Sequence, residues 1–283
     1  GADKATVMLV AESLAWTGSF NVTHGAHSGI GTLPIVYFGT DEQKRRYLPK
    51  LATGEIIGAY ALTEPGSGSD ALAARTTAVL DADGRHYLLN GAKQYITNAG
   101  FADLFIVFAK VNGKKFTAFI VERDTPGLSI GAEERKMGIK GSSTCPMTFE
   151  NASVPVGNVL GEIGKGHVVA FNILNVGRFK LGAGAVGGCK VTLECVVPYV
   201  KQRQQFDRPL SEFGLIRAKL ADIAVRTFAA ESMVYRTAGL LDRAIARLDH
   251  ADPLYDRKTI DTVEEFTIEC SMIKVFGSET LSF

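Results

Sequence analysis

One short stretch, residues 62–70, has the residue types that a ligand-binding loop needs. Its sequence LTEPGSGSD holds two glycines and three hydroxyl side chains around a single proline. Small residues leave backbone N–H groups exposed, and such groups suit a ligand that carries phosphates or carbonyl oxygens. An ordinary connection between a helix and a strand has a similar composition, so the loop alone leaves both interpretations open.

The composition is that of an ordinary globular protein. The chain has 283 residues, of which 46% are hydrophobic and 22% charged, and its formal net charge is +1. This length is enough for two or three domains. The charge balance gives no reason to expect a nucleic acid or an acidic membrane surface as a partner. No apolar run approaches the roughly 20 residues of a membrane span, and there is no charged-then-apolar start to suggest a signal peptide.

The cysteines and histidines do not predict a metal site. The four cysteines are scattered, without a CxxC motif, so we interpret each as a small buried hydrophobe in a reducing compartment. His24 and His27 are three residues apart, which places them on one helix face. No carboxylate or cysteine completes a ligand set, so we expect packing or pocket lining from both histidines and no metal.

The elements on the two sides of the loop differ. Before it, apolar residues recur at helical spacing, and Thr40 opens a charged helix that Gly54 ends. After it, short strands alternate with turns at 81–84 and 112–113. The predicted strands are 57–62, 76–80, 86–90, 94–97, 104–110, 116–121, 128–131, 136–140 and 144–149. Such strands favour a compact antiparallel barrel or sandwich.

The helical pattern returns after Gly161. The predicted helices are 167–174, 181–203, 213–247 and 262–283, and Pro198 should kink or interrupt the second of them. The fold class is therefore multidomain α and β, with a helical N-terminal domain at 1–57, a middle β domain at 58–161 and a C-terminal helical bundle at 162–283. Because the helical pattern runs to both ends of the sequence, we expect both helical domains to be incomplete.

Five motifs occur in one order along the chain. They are FGTDEQK with YLP at 38–49, YALTEPGSGSD at 60–70, NGAKQYITN at 90–98, KMGIK at 136–140 and QRQQF at 202–206. Together they resemble the acyl-CoA dehydrogenases, flavoenzymes that oxidise acyl-CoA thioesters, over nearly the whole chain. The sequence around 25–27, 173–179 and 276–279 is most similar to the very-long-chain branch. The resemblance implies FAD-dependent α,β-dehydrogenation of long-chain or very-long-chain acyl-CoA thioesters in β-oxidation.

The resemblance also implies which residues contact the flavin ring. Backbone N–H groups near Leu62 and the Thr63 hydroxyl would meet its pyrimidine end, and the Thr97 hydroxyl would lie near N5. Tyr95 stands where the family most often has tryptophan. The cofactor-binding residues implied are Tyr60, Leu62, Thr63, Gly68, Ser69, Tyr95, Ile96, Thr97, Arg203, Gln205, Phe206, Phe213 and Gly214.

Other residues are implied to hold the distal parts of the ligands. Arg203 would reach the diphosphate or adenosine of a FAD in a neighbouring subunit, since a guanidinium fork suits a diphosphate. Asp207 replaces the usual glycine of the family, and its carboxylate would be unfavourable there unless it points away. The substrate-binding residues implied are Ser69, Asn175 and Arg178. For Arg178 a structural salt bridge is an equal alternative.

Small residues near the expected acyl pocket leave two interpretations open. Gly25 and Ala26 would leave room for a long acyl chain, or they would allow close helix packing.

No residue of the chain is assigned as the catalytic base. The resemblance implies a glutamate in an E-G-T-[NS]-like segment, which does not occur before Phe283. A minority branch has glutamate just before the position of Arg178, but that residue is Gly177 here. We therefore expect the natural protein to extend beyond Phe283 and to carry its base there.

The implied partners are the acyl-CoA substrate, an electron-transfer flavoprotein and further copies of the chain in a homodimer or homotetramer. The expected location is cytoplasmic in a bacterium, and the mitochondrial matrix or inner-membrane face in a eukaryote. Two alternatives keep the fold. One is an assembly factor for a respiratory complex, and the other is an acyl-CoA oxidase that uses oxygen as acceptor.

Overall fold

The computed structural model describes residues 2–283, which form two compact units. One unit contains Val22–Leu174, and the other contains Gly1–Asn21 together with Asn175–Phe283. The division into three domains at 57/58 and 161/162 stays a prediction.

The helices and strands follow the order expected from the sequence. The helices are α1 (Lys4–Ser13), α2 (Ser19–Gly25), α3 (Leu33–Phe38), α4 (Asp41–Thr53), α5 (Gly166–Gln202), α6 (Gly214–Ile245), α7 (Tyr255–Glu265) and α8 (Thr267–Ser282). The strands are β1 (Gly58–Ala61), β2 (Thr77–Leu80), β3 (His86–Thr97), β4 (Leu104–Val111), β5 (Lys115–Glu122), β6 (Leu128–Ile130), β7 (Thr144–Pro155), β8 (Val159–Leu160), β9 (Gln204–Gln205) and β10 (Arg208–Pro209). A π-helical turn, Ala26–Gly31, lies between α2 and α3.

Local sequence signals explain where α4 begins and ends. The Thr40 hydroxyl accepts a hydrogen bond from the Gln43 N–H, and the Gln43 side chain accepts one from the Thr40 N–H. This reciprocal capping box satisfies two N–H groups that the first turn would otherwise leave unpaired. Gly54 ends the helix with a left-handed φ of 75°. Both predicted boundaries are confirmed.

The middle of the chain forms an eight-stranded sheet in the order β6-β7-β3-β2-β4-β5-β8, with β1 also paired to β4. Most neighbours are antiparallel, as expected, but β1 and β2 both pair in parallel with β4. The sheet is therefore mixed. Parallel pairing joins strands that are distant in sequence, which a local pattern cannot reveal.

The two predicted hairpins are confirmed. One predicted strand is wrong, and the strands predicted separately at 86–90 and 94–97 are one strand, β3. β2 pairs with β3 across the turn at 81–84, and β4 pairs with β5 across Asn112 and Gly113, whose φ angles are 51° and 71°. Residues 136–140 are not a strand. The Lys136 ammonium donates to the Ser142 carbonyl and the Thr144 hydroxyl, which closes this segment into a loop.

β4 is buried on both faces, and this separates two apolar cores within the unit. Phe105, Val107 and other odd-numbered positions pack with residues of β3 and β7. Ile106, Phe108 and other even-numbered positions pack with residues of α3, α4 and the start of α5. One strand thus supports both the inner face of the sheet and the layer of helices.

His27 joins the helical segment to the start of β1. Its Nδ1 accepts a hydrogen bond from the Gly58 N–H, so its Nε2 carries the proton and contacts the Leu51 carbonyl at 3.0 Å. Gly31 lies against the same backbone, because a Cβ there would be 2.7 Å from the Gly58 carbonyl carbon. Close packing therefore explains His27 and Gly31.

In the other unit, glycines let α5 approach its neighbours. A Cβ on Gly182 would be 2.2 Å from the Ile273 side chain on α8, and one on Gly187 would be 2.1 Å from the Glu12 carbonyl on α1. Lys190 then pairs with both Glu12 and Glu231 at 2.6 Å. Close packing therefore explains Gly182 and Gly187.

Other predicted features of the second half are wrong. The helices predicted at 167–174 and 181–203 are one helix, α5, and the helix predicted at 262–283 is divided into α7 and α8. Cys195 is exposed, unlike the other three cysteines. By length and composition only, α5 also passes the test for a membrane-spanning helix, which corrects the expectation that no such segment exists. Core helices of globular proteins pass the same test.

Candidate functional site

The loop 62–70 is held against β3 by hydrogen bonds to two successive carbonyl groups. The Lys93 ammonium donates to the Leu62 carbonyl at 3.2 Å, and the Gln94 N–H donates to the Thr63 carbonyl at 2.9 Å. The loop then closes on itself, because the N–H groups of Glu64 and Ser67 each donate to the other residue's carbonyl. The start of the loop therefore has one defined conformation.

A buried ion pair anchors this conformation. Lys93 is 0% exposed, and its ammonium lies 2.7 Å from Oε1 of Glu64. The Glu64 carboxylate also accepts hydrogen bonds from the N–H groups of Arg75 and Thr76 and from the Thr76 hydroxyl. Burial works to raise the pKa of Glu64, but the Lys93 charge and these donors outweigh it and hold that pKa below its usual range. Glu64 is therefore a carboxylate at neutral pH.

A bulge in β3 turns the next side chains toward solvent. Pairing with β7 shifts register between Lys93 and Ile96, and Tyr95 has a φ of 59°. Regular alternation would have buried Tyr95 on the same face as Lys93. Instead Tyr95 is 59% exposed and Ile96 is buried. A positive φ is an outlier for an aromatic residue, and bulges of this kind frequently re-aim side chains beside binding sites.

Several hydrogen-bonding groups around this bulge have no protein partner. Within residues 2–283, the N–H and hydroxyl of Thr63 and the hydroxyl of Thr97 make no hydrogen bond. Next to Thr97, the buried Oδ1 of Asn98 is also unpaired in the described part of the chain. Because the Gln94–Thr63 hydrogen bond joins the loop to the bulge, the donors of Thr63 lie beside the strand segment that carries Tyr95 and Thr97.

The rest of the loop is open. A Cβ built on Gly66 or Gly68 would meet nothing within 4 Å, and Ser69 is exposed. The Ser67 hydroxyl is used internally, since it donates to the Asp70 carbonyl at 2.7 Å. Gly68 and Ser69 therefore leave space for a ligand, while Ser67 holds the loop in shape.

Three of the predicted cofactor residues have buried side chains. Tyr60 packs edge-on against Phe108, and its hydroxyl donates to the Ala170 carbonyl at 3.3 Å. Burial raises the pKa of this phenol. Leu62 and Ile96 are in the two apolar cores. These three residues would therefore contact a ligand through their backbone groups.

In the other unit, the two predicted substrate residues contact each other. The guanidinium of Arg178 donates to Oδ1 of Asn175 at 2.6 Å, and Nδ2 of Asn175 donates to the Thr267 hydroxyl at 2.9 Å. Asn175 is buried, so it positions Arg178 on α5 in this conformation. Among the described residues, Arg178 makes no salt bridge to an acid.

The predicted distal cofactor segment is an exposed hairpin. β9 and β10 pair across Phe206 and Asp207, whose φ angles are 52° and 57°. Phe206 is 86% exposed at the tip. The left-handed conformation at Asp207 accounts for the usual glycine at this position in the family, and aspartate tolerates it better than most residues.

The base of this hairpin leads into a helix terminus. The Arg208 guanidinium stacks 4.1 Å from the Phe213 ring, and Gly214 begins α6. In the described residues α6 has no side-chain cap, so its first N–H groups are available to an anion. Arg203 is exposed at the start of the hairpin.

The sequence analysis did not identify three residues that support the loop 62–70 and the β9–β10 hairpin. They are Glu64, Lys93 and Arg208. For Lys93 a signal existed, because strand alternation from Tyr87 and Leu89 places it on the buried face. A buried lysine requires a partner, and Glu64 lies in a motif already recognised. For Arg208 we find no sequence signal beyond its position near Arg203.

One group of metal-type side chains occurs in the described residues, away from the loop. Oxygen and nitrogen atoms of Asp81, Asp83 and His86 lie within 4.8 Å of one another on the β2–β3 turn. Asp81 already accepts the N–H groups of Arg85 and His86, and Asp83 pairs with the Arg85 side chain. These contacts stabilise the β2–β3 turn, and this structural role explains why the three side chains lie close together.

The fold and the site define a class: a multidomain α and β chain whose sheet carries a loop of open hydrogen-bond donors. Family models agree with this along the sequence. The N-terminal domain of acyl-CoA dehydrogenases matches residues 1–55, their middle domain 59–152 and their C-terminal domain 164–282. The chain belongs to the acyl-CoA dehydrogenase family.

Individual relatives agree. The chain is 54% identical over 283 residues to a probable acyl-CoA dehydrogenase of Bacillus subtilis, covering 100% of this chain and 48% of that protein. It is 42% identical over 267 residues to the human mitochondrial very long-chain specific acyl-CoA dehydrogenase, covering 91% of this chain and 38% of that protein. A crystal structure of an acyl-CoA dehydrogenase complexed with FAD from Bacillus anthracis matches with a TM-score of 0.97 at 56% identity, over 99% of this chain and 48% of that one. The chain thus spans about half the length of these relatives or less.

Proposed function

We propose that this chain is the flavin-binding part of an FAD-dependent acyl-CoA dehydrogenase. The observation that carries the proposal is the set of unpaired donors on Thr63 and Thr97 beside the exposed Tyr95 ring. The polar edge of a flavin ring needs donors of this kind, and its flat face needs an apolar surface. The open space over Gly66 and Gly68 supports the same fit. The B. anthracis relative, whose structure holds FAD, supports the choice of cofactor.

The reaction divides into two transfers from the acyl-CoA. A base removes a proton from the α carbon, a hydride leaves the β carbon, and a double bond forms between them. When bound, FAD supplies the acceptor for the two electrons of that hydride. The donors of Thr63 and Thr97 would hold the polar edge of the flavin, and by stabilising negative charge there they would favour the transition state. No residue of this chain is proposed as the base.

We propose long-chain or very-long-chain thioesters of the β-oxidation pathway as substrates. The 42% identity to a very long-chain specific enzyme supports this choice. The structure adds that a Cβ on Gly25 would meet nothing within 4 Å, whereas Gly31 is closed by Gly58. Gly25 precedes a π-helical turn, a feature that is frequent at functional sites. Open space at Gly25 supports room for a long chain.

We assign the diphosphate of the cofactor to the hairpin and the start of α6. Arg203, Arg208 and the uncapped N-terminus of α6 supply positive charge and N–H donors there. Because this segment is exposed, we propose that it serves a second copy of the chain in a homodimer or homotetramer. An electron-transfer flavoprotein is the proposed acceptor of the electrons.

Titration of the full-length protein with FAD and then with acyl-CoA tests the proposal. We expect a yellow holoenzyme whose flavin absorbance bleaches anaerobically with palmitoyl-CoA, and less with butyryl-CoA. Re-oxidation should need an electron-transfer flavoprotein, and rapid peroxide formation in air would instead identify an oxidase. A protein that binds no FAD, or whose flavin no acyl-CoA reduces, would refute the proposed activity.

A further inference from the structure

Lys93 is a charged group that the proposed reaction does not use, although it lies one peptide unit from the proposed flavin donors. It is completely buried, and its ammonium contacts two acceptors, the Leu62 carbonyl at 3.2 Å and the Glu64 carboxylate at 2.7 Å. A buried ammonium has three N–H donors, so the Leu62 carbonyl satisfies one of them and also links Lys93 to the loop. The contact with the Leu62 carbonyl is therefore the one to explain.

The geometry of the peptide bond connects Lys93 to Thr63. The described residues contain no cis peptide bond, so the Leu62 carbonyl and the Thr63 N–H point in opposite directions from one planar unit. The carbonyl points at Lys93, and the next carbonyl, that of Thr63, is held by the Gln94 N–H. The Thr63 N–H therefore points away from the Lys93 ammonium, and it has no partner within residues 2–283.

The positive charge behind this peptide unit also changes the strength of the donor. Hydrogen bonds in a chain polarise one another, and the effect is larger where the surroundings exclude water. A cation on the carbonyl oxygen draws electrons from the peptide unit, so the N–H on its other side becomes a stronger donor. Burial lowers the pKa of Lys93, and the adjacent Glu64 carboxylate opposes that shift. Three further contacts keep Glu64 ionised.

We propose that Lys93 is a positioning residue that orients and polarises the Thr63 N–H toward the electron-rich form of the bound flavin. The inference rests on the proposed function, since it assumes that a flavin ring occupies the space in front of Thr63. Lys93 touches neither cofactor nor substrate, and it acts only through the Leu62–Thr63 peptide unit. It stabilises the reduced cofactor, which carries more negative charge, more than the oxidised one.

The double variant Glu64→Gln with Lys93→Met tests this. It removes both charges together, which avoids leaving one buried charge unpaired. We expect oxidised FAD to bind within about threefold of the wild-type affinity, and reduced FAD to bind about tenfold more weakly. For a two-electron couple that ratio lowers the midpoint potential by about 30 mV. The single variant Lys93→Arg keeps the positive charge, so its midpoint potential should stay close to that of the wild type.

Two further variants separate this effect from a loss of stability. Lys190→Met removes a charge from the Glu12–Lys190–Glu231 group in the other unit, so it should lower stability and leave the potential unchanged. If the Glu64→Gln, Lys93→Met double variant does not fold, Glu64→Gln with Lys93→Gln gives a neutral pair that can still form hydrogen bonds. We expect the same fall in midpoint potential from it.

The outcomes also distinguish the inference from the proposed function. A neutral-pair variant with the wild-type midpoint potential would overturn the role of Lys93, even if its melting temperature falls. The proposed function would then still stand as long as the wild type binds FAD. Failure of the wild type to bind FAD would overturn both. Direct titration of apoprotein with FAD, which needs no turnover, provides that control.

Discussion

The ammonium of Lys93 lies 2.7 Å from the Glu64 carboxylate in a site where the two side chains are 0% and 6% exposed. Loss of one partner leaves the other charge buried and unpaired. We therefore expect Lys93→Met to lower the free energy of unfolding by about 3–5 kcal/mol. The Glu64→Gln, Lys93→Met double variant should lose far less. Urea denaturation of the apoproteins measures both, and equal losses in the two proteins would contradict an ion pair.

This pair also predicts how stability depends on pH. The pKa of Glu64 in the folded protein is held below its ordinary value of 4.5, although burial opposes the shift. The unfolded chain therefore takes up a proton first as pH falls, so the stabilisation is complete above about pH 4.5 and is lost as pH falls through the folded pKa. Between pH 6 and 3 the wild type should lose stability more steeply than the double variant. Parallel curves from thermal unfolding would exclude this assignment.

The long-range origin of the pair explains why the sequence did not predict it. The hairpin turn at Asn112, the start of α4 after Thr40 and its end at Gly54 depend on neighbouring residues, and the sequence predicts all three. Glu64 and Lys93 are 29 positions apart, and only the pairing of the loop with β3 brings them together. The bulge at Tyr95 is hidden for the same reason, because a register shift is a property of two strands.

The loop 62–70 was recognised as a candidate binding loop from its composition and from the motifs around it. The family resemblance names Thr63 as a donor, but residue type alone does not distinguish its hydroxyl from that of Ser67. Only the structure distinguishes them, because the Ser67 hydroxyl is bonded to the Asp70 carbonyl while that of Thr63 has no partner in the part of the chain described.

Tyr95 should lower the stability of the apoprotein and strengthen the binding of FAD. A bulky residue with a φ of 59° costs about 1 kcal/mol, which glycine would recover. Tyr95→Gly should therefore raise the free energy of unfolding of the apoprotein, or leave it unchanged, while FAD binds more weakly because the ring is lost. Tyr95→Trp keeps an aromatic surface and should bind FAD like the wild type. If Tyr95→Gly binds FAD normally, the ring does not contact the cofactor.

Asp207 offers a test of the diphosphate site. Asp207→Gly removes a carboxylate from the hairpin and relieves a φ of 57°. An exposed charge interaction is worth up to about 1 kcal/mol, so FAD should bind up to about fivefold more tightly. Asn112→Gly is the matched control, since Asn112 has a φ of 51° in a different hairpin and should leave the FAD affinity unchanged. Unchanged affinity in Asp207→Gly would show that the Asp207 carboxylate does not face the diphosphate.

Gly25 and Gly31 are six residues apart and should respond oppositely to the same substitution. A Cβ at Gly31 would lie 2.7 Å from the backbone of Gly58, so Gly31→Ala should destabilise the protein by about 2–3 kcal/mol. Gly25 has helical dihedral angles and open space, so Gly25→Ala should stabilise it by about 0.5–1 kcal/mol.

If the space at Gly25 receives the acyl chain, larger residues there should lower the activity with long-chain substrates and affect short-chain substrates less. Gly25→Leu should reduce kcat/KM for palmitoyl-CoA about tenfold or more while butyryl-CoA is affected less, because burying a side chain of that size fills the room that the distal methylenes need. Equal losses for both substrates would indicate a general disturbance of the helix. Unchanged values for both would show that the acyl chain lies elsewhere, and Gly25 would then serve only the π-helical turn that follows it.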